Sequence, residues 1–189
     1  CETASTFNET LVYERALAGT SGRERLGRLN AVLSGATQVV VDIFSRFLFE
    51  DEVLRRREGG GLDADALCAI MCESQRAAYG SSLDPDAMHP YMWVDKVHYY
   101  IPDFHYYNFP YAFGLLFARG LYRAYGRDPQ GFFERYDRFL EQTCTLSVEE
   151  AGGNMGLDLT QTAFWRDALG DFETMADEFE RLAGEEGCL

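Results

Sequence analysis

The stretch from Asn108 to Tyr125 reads NFPYAFGLLFARGLYRAY, and it decides the fold class of this 189-residue chain. Large apolar side chains recur in it at every fourth residue: Phe113, Phe117, Leu121 and Tyr125. That spacing places them along one face of an α-helix, whereas a strand would alternate apolar and polar residues. Asn108 and Pro110 are residue types that favour a helix start. The stretch therefore predicts a long amphipathic helix that ends near Gly126.

Helical patterns continue on both sides of this stretch. Residues 2–18 form one helical stripe, and Ser21 with Glu24 matches a capping box for a helix that runs to about Glu58. The predicted buried face of that long helix consists of residues at helical spacing: Leu26, Leu29, Leu33, Val40, Phe44, Phe47 and Leu54. Further helices are predicted to start at capping residues or prolines: Asp63, Pro90, Asp128, Ser147 and Thr162. The helix that starts at Pro90 is expected to reach about Tyr100.

These patterns predict an all-α fold. No segment alternates apolar and polar residues as a half-buried strand does, and no repeat or low-complexity linker divides the chain. We therefore expect a multi-helix bundle of seven or eight helices, with residues 1–189 forming a single all-helical unit.

The charge of the chain narrows its possible partners. It carries 17 Lys and Arg against 31 Asp and Glu, a net charge of −14, which argues against a nucleic-acid partner. No segment was expected to supply the roughly 20 apolar residues of a membrane span, so no membrane partner is predicted.

The cysteines indicate a reducing compartment. There are five of them, an odd number that does not suit a disulfide framework: Cys1, Cys68, Cys72, Cys144 and Cys188. Cys68 and Cys72 share a helical face, but no His or further Cys nearby completes a four-ligand metal site. Reduced structural thiols in a cytoplasmic protein are the prediction.

Two acidic residues near the start of the chain could carry chemistry. Glu2 and Glu9 are seven residues apart, so two helical turns place both carboxylates on one face. Ala4 and Ser5 between them are small enough for another helix to approach closely. One carboxylate could bind a metal while the other orients the ligands around it. The alternative interpretation is a pair of solvated glutamates.

A second cluster of polar residues lies at a junction between helices. Residues 98–111 read HYYIPDFHYYNFPY and contain five Tyr, two His and two Pro. A cleft lined by such donors can bind a peptide backbone or stabilise an oxyanion. The alternative is core filling in which tyrosine hydroxyls reach the surface.

In this order, the two clusters resemble the zinc-dependent oligopeptidases of the thimet oligopeptidase and oligoendopeptidase F family, and the oligoendopeptidase F branch in particular. The resemblance rests on five segments: ETASTFNE at 2–9, DIFSRFLFE at 42–50, YNFPYAFG at 107–114, Gly156-Leu157-Asp158 and Phe164-Trp165. It implies that the chain is the C-terminal part of a zincin-like helical catalytic domain. It also implies a zinc endopeptidase that hydrolyses short peptides with a metal-activated water.

The resemblance also assigns roles to residues of this sequence. Glu2 matches a zinc ligand, while the role of Glu9 in orienting that ligand rests on its spacing from Glu2. His98 and Tyr111 match the residues that hydrogen-bond the tetrahedral intermediate. Tyr107 matches a substrate-contacting tyrosine, and Tyr106 and His105 are expected to contact substrate beside it.

The sequence departs from the family in one major respect. The His-Glu-x-x-His motif, which in the family supplies two zinc ligands and the general base, does not occur in this sequence. A catalytic zinc needs about three protein ligands, so the isolated chain is expected to be inactive and to hold zinc incompletely or not at all. The alternative function is a non-catalytic, acidic, all-α module that binds a peptide or a protein.

Overall fold

The computed structural model describes residues 2–188, and the prediction of an all-α fold is confirmed. Eight α-helices occur within these residues: α1 Thr3–Ala18, α2 Gly22–Thr37, α3 Ile43–Arg57, α4 Ala64–Tyr79, α5 Phe109–Arg127, α6 Pro129–Gln142, α7 Val148–Asn154 and α8 Thr162–Glu185. A π-helical segment, Gln38–Asp42, joins α2 to α3, and residues 2–188 contain no strand.

The described chain divides into two compact units. Residues 1–34 and 113–189 form unit 1, and residues 35–112 form unit 2. The expectation of a single helical unit stays a prediction.

The core of unit 1 forms around α5, where the sequence predicted an amphipathic helix. Phe117 and Leu121 are buried, and Phe113 and Tyr125 pack against the same cluster. Gly120 allows a close approach there, because a Cβ at this position would overlap the ring of Phe164 from α8.

Helix α1 also approaches α5 closely within unit 1. Phe7 of α1 is fully buried against Phe132 and Tyr136 of α6. A Cβ on Gly114 would lie 3.8 Å from Thr3 and from the Cβ of Glu2. The small residues near the start of α1 therefore accompany a helix contact, as their size predicted.

The π-helical segment changes which residues of α3 are buried in unit 2. An extra residue in the turn rotates every later residue by about 100° around the helix axis. Phe44 and Phe47, predicted to be buried, are 47% and 37% exposed, whereas Ile43 and Phe49 are buried. The predicted apolar face is therefore wrong at Phe44 and Phe47, whereas Leu54 further along is part-buried.

One predicted helix is absent. Residues 90–95 form turns, and only Val97–Tyr100 adopt a short 3₁₀ helix. Lys96 has an extended backbone, with φ −87° and ψ 94°, which separates the two parts. The helix predicted from Pro90 to Tyr100 does not form.

The predicted helix starts have mixed outcomes. Asp63 and Asp128 cap α4 and α6 through their side chains, and Ser147 forms a complete capping box with Glu150 at α7. The capping box predicted for Ser21 and Glu24 does not form within residues 2–188. The Glu24 carboxylate accepts hydrogen bonds from Arg28 instead.

Two observations bear on the predicted environment of the protein. The helical run Gly22–Arg57 is long and apolar enough to cross a membrane by length and composition alone, contrary to the prediction that no segment reaches that length. The core helix of a soluble protein can have the same length and composition, so this run by itself does not indicate a membrane span. Cys68, Cys72, Cys144 and Cys188 are free thiols, and Cys1 lies outside the described residues.

Candidate active site

A row of polar residues runs along α3 and the turn before it. Asp42, Arg46 and Glu50 are spaced four residues apart, which places them on one face of the helix. Arg46 pairs with Asp42, and Asp42 also accepts a hydrogen bond of 3.2 Å from the Tyr79 hydroxyl. The Tyr99 hydroxyl donates to the backbone carbonyl of Arg46 at 3.1 Å. This row binds the loop that contains the predicted site.

Glu50 fixes the centre of that loop. Its buried carboxylate accepts from the backbone N–H of Tyr106 at 2.7 Å and from the Asn108 side-chain amide at 2.6 Å. Tyr106 has a φ of +57°, a left-handed conformation that costs a non-glycine residue about 1 kcal/mol. The short bonds to a charged acceptor offset this cost. Glu50 therefore holds the turn that leads into α5.

Three predicted site residues meet in one cluster of rings in unit 2. The Tyr107 ring stacks on His98, with centroids 5.4 Å apart, and meets Tyr111 edge-on at 6.1 Å. Phe104 stacks on Tyr107 at 4.3 Å and completes the cluster. Neither His98 nor Tyr111 makes a side-chain hydrogen bond to another residue in the part of the chain that the structure describes. Both side chains are part-exposed, so their polar atoms can reach solvent or a bound molecule.

Tyr106 and His105 lie outside this ring cluster. The Tyr106 hydroxyl donates to Asp51 at 3.1 Å, and its ring packs on Phe47. His105 is exposed and stacks on no ring within residues 2–188. The substrate contacts predicted for these two residues stay predictions.

Burial and acidic neighbours act on the tyrosines that anchor the loop. Desolvation raises the pKa of Tyr99 well above its usual value, and the negative charge of Glu50 adds to the effect. Desolvation and the hydrogen bond to Asp51 likewise raise the pKa of Tyr106. Both hydroxyls donate hydrogen bonds in the structure, Tyr99 to the carbonyl of Arg46 and Tyr106 to Asp51.

Glu2 and Glu9, the predicted metal-binding pair, belong to unit 1. Glu2 directly precedes α1, and its backbone carbonyl accepts from the hydroxyls of Ser5 and Thr6, both at 2.9 Å. The carboxylates of Glu2 and Glu9 are exposed and make no ion pair within residues 2–188. In the same residues, no group of three His, Cys, Asp or Glu side chains could hold a metal ion.

Sequence reasoning missed the residues that shape the loop. Glu50, Asn108 and Phe104 were not predicted as part of the site. One pattern could have identified Glu50, because polar residues at every fourth position of a largely apolar helix indicate a buried polar row. No local pattern indicates that Phe104 packs against His98.

Comparison with known proteins places the fold among peptidases. The chain is similar to the crystal structure of oligoendopeptidase-F from Enterococcus faecium, with a TM-score of 0.82 and 26% sequence identity. The match covers 98% of this chain and 35% of that one, so the chain spans about a third of the length of the relative. No family model and no curated protein matches the sequence.

The resemblance to oligoendopeptidase F is therefore confirmed. The chain has the fold of part of such an enzyme, and the correspondence to its C-terminal part fits this match.

Proposed function

We propose that this chain forms the substrate-contacting part of a zinc-dependent oligoendopeptidase that hydrolyses short peptides. The structural match to oligoendopeptidase-F over 98% of the chain carries the proposal. The cluster of His98, Tyr107 and Tyr111 supports it, because it leaves two hydrogen-bond donors beside an aromatic surface.

The roles of these residues follow from the chemistry of peptide hydrolysis. Water adds to the carbonyl carbon, negative charge develops on the carbonyl oxygen, and the C–N bond then breaks as the amine takes up a proton. Tyr111 and His98 donate hydrogen bonds to that oxygen, and each well-placed donor contributes about 3 kcal/mol to the transition state. Tyr107, whose ring stacks on His98 and meets Tyr111 edge-on, contacts the substrate beside them.

The described residues alone do not fit a zinc site. A catalytic zinc takes about three protein ligands and leaves a position for water, whereas Glu2 is the one candidate ligand in this sequence. The proposal therefore assigns Glu2 as a single ligand, with Glu9 orienting it, and further ligands from residues that this sequence does not contain. We expect the isolated chain to lack peptidase activity and stoichiometric zinc.

The test is Tyr111→Phe in the intact enzyme. Loss of one oxyanion donor should lower kcat by about 100-fold or more while KM changes little, since the hydroxyl acts mainly in the transition state. Tyr13→Phe is the matched control, because Tyr13 is an exposed tyrosine of α1 outside the ring cluster.

The outcomes separate the proposal from its alternative. An unchanged kcat in Tyr111→Phe would refute the role of this hydroxyl. A non-catalytic binding module would instead show no turnover of short peptides in the intact protein, and its aromatic loop would bind peptide without cleaving it.

A further inference from the structure

A recess in unit 2 lies beside the two residues that follow His98. It has a volume of about 330 Å³, within the range of small-ligand pockets. Four aromatic side chains line it: Phe49, Trp93, Tyr99 and Tyr100. Phe49 is buried and packs on both Trp93 and Tyr99. The Tyr99 hydroxyl is bound to α3, so this residue presents its ring to the recess.

One cation lines this aromatic recess. Arg57 is the last residue of a three-arginine run at the end of α3. Arg55 pairs with Asp51 and Glu52, and Arg56 pairs with Glu52 and Glu73. Arg57 is exposed, and none of the ion pairs that the neighbouring arginines form within residues 2–188 includes it, although acids outnumber bases in the chain. It is therefore a positive charge available to a ligand.

We propose that this recess binds the C-terminal residue of a peptide, with its α-carboxylate on Arg57 and a large apolar side chain against the rings. The inference rests on the proposed function and specifies a substrate class, peptides that end in an aromatic or large aliphatic residue. An apolar wall beside an unpaired guanidinium is complementary to a side chain and a carboxylate on the same carbon atom.

The position of the recess along the chain supports a peptide terminus over an internal residue. Tyr99 and Tyr100 line it and follow His98 directly, so both sites are parts of one loop. An internal residue of a peptide would place a neutral amide group next to Arg57. A C-terminal residue would place a negatively charged carboxylate there. The unpaired guanidinium therefore favours the terminus.

The experiment measures binding of single-residue probes to the full 189-residue chain. The probes are N-acetyl-L-phenylalanine, its C-terminal amide and N-acetylglycine. Trp93 reports binding by fluorescence, and Trp165→Phe removes the other tryptophan of the sequence. Calorimetry on the unmodified chain gives the same affinities if that substitution disturbs folding.

The expected result is an affinity for the acid about fivefold above that for the amide, the upper end for an exposed ion pair. Arg57→Gln should abolish this difference. Arg56→Gln is the matched control and should retain it, because Arg56 already has acidic partners. N-acetylglycine should bind several-fold more weakly than N-acetyl-L-phenylalanine.

Three results would overturn the inference: equal binding of acid and amide, a difference that survives Arg57→Gln, or no saturable binding at all. Single-residue probes are not hydrolysed, so these results are independent of the Tyr111→Phe test. A failure of the recess is thus distinguishable from a failure of the proposed function.

Discussion

Replacing Glu50 by Gln should unsettle the site loop, and the size of the effect follows from two hydrogen bonds. The carboxylate accepts from Tyr106 N–H at 2.7 Å and from the Asn108 amide at 2.6 Å. An introduced amide has one acceptor oxygen, so one of the two donors would face its NH₂ group. Glu50 is 7% exposed, and water cannot easily replace the lost acceptor. A lost charge-assisted bond and a stranded buried donor should lower the free energy of unfolding by about 2–3 kcal/mol.

A second substitution should restore the pairing with its polarity reversed. In Glu50→Gln with Asn108→Asp, the new amide can donate to the new carboxylate and still accept from Tyr106 N–H. The pair then keeps one negative charge and two hydrogen bonds. We expect the double variant to regain most of the free energy of unfolding that each single variant loses.

The assay combines a global and a local measurement. Urea unfolding followed by Trp93 fluorescence, with all variants made in a Trp165→Phe background, gives the free energy of unfolding of unit 2, and hydrogen exchange reports the Tyr106 amide directly. That amide should exchange faster in Glu50→Gln and regain protection in the double variant. Asp51→Asn is the control at the adjacent, more exposed position and should have a much smaller effect. A single variant within about 0.5 kcal/mol of the wild type, or a double variant no better than either single, would refute the reasoning.

Two further predictions concern unit 1. Gly120→Ala should destabilise the protein by about 1–3 kcal/mol, because the new methyl group would overlap the ring of Phe164. The control is Gly126→Ala on the same helix, which should be neutral or stabilising because a Cβ there meets no atom within 4 Å. Thermal unfolding of both variants measures the difference. Bidentate hydrogen bonds from Arg25 lower the pKa of Glu178 below its ordinary value of 4.5. The pair therefore stabilises the fold above pH 4.5, and this stabilisation is lost as the pH falls through the lowered pKa of Glu178. Glu178→Gln should therefore cost about 1 kcal/mol at pH 7, and urea midpoints should show that difference shrinking below about pH 4.5; a constant difference down to pH 3 would contradict it.

The sequence was sufficient to predict the helices whose ends carry local chemistry. Asp63, Asp128 and Ser147 cap their helices because a short side chain accepts from a backbone N–H within the same turn. The faces of α5 were predictable for a similar reason, because Phe117 and Leu121 follow an unbroken helical period. Such features depend on neighbours in sequence.

The features that escaped prediction depend on neighbours in space. The π-turn at Gln38–Asp42 leaves no mark on residue spacing, yet it exposes Phe44 and Phe47. The turns at 90–95 form where a helix start was predicted, at Pro90. The sequence allowed His98, Tyr107 and Tyr111 to be predicted as site residues. It did not allow the hydrogen bonds from the Tyr106 backbone and the Asn108 side chain to Glu50 to be predicted.

The polar row of Asp42, Arg46 and Glu50 connects two of the segments that carry the resemblance to oligoendopeptidase F. The segment 42–50 contains Asp42, Arg46 and Glu50, and the segment 107–114 contains Asn108. The two segments are 58 residues apart at their contact, where Glu50 accepts from Asn108. A substitution of Glu50 or Asn108 alone should lower the stability of the fold, because it leaves the other buried side chain without its hydrogen-bond partner. A matching substitution of the second residue is needed to restore the bond. Through this pairing, a substitution on α3 acts on the loop between His98 and Tyr111.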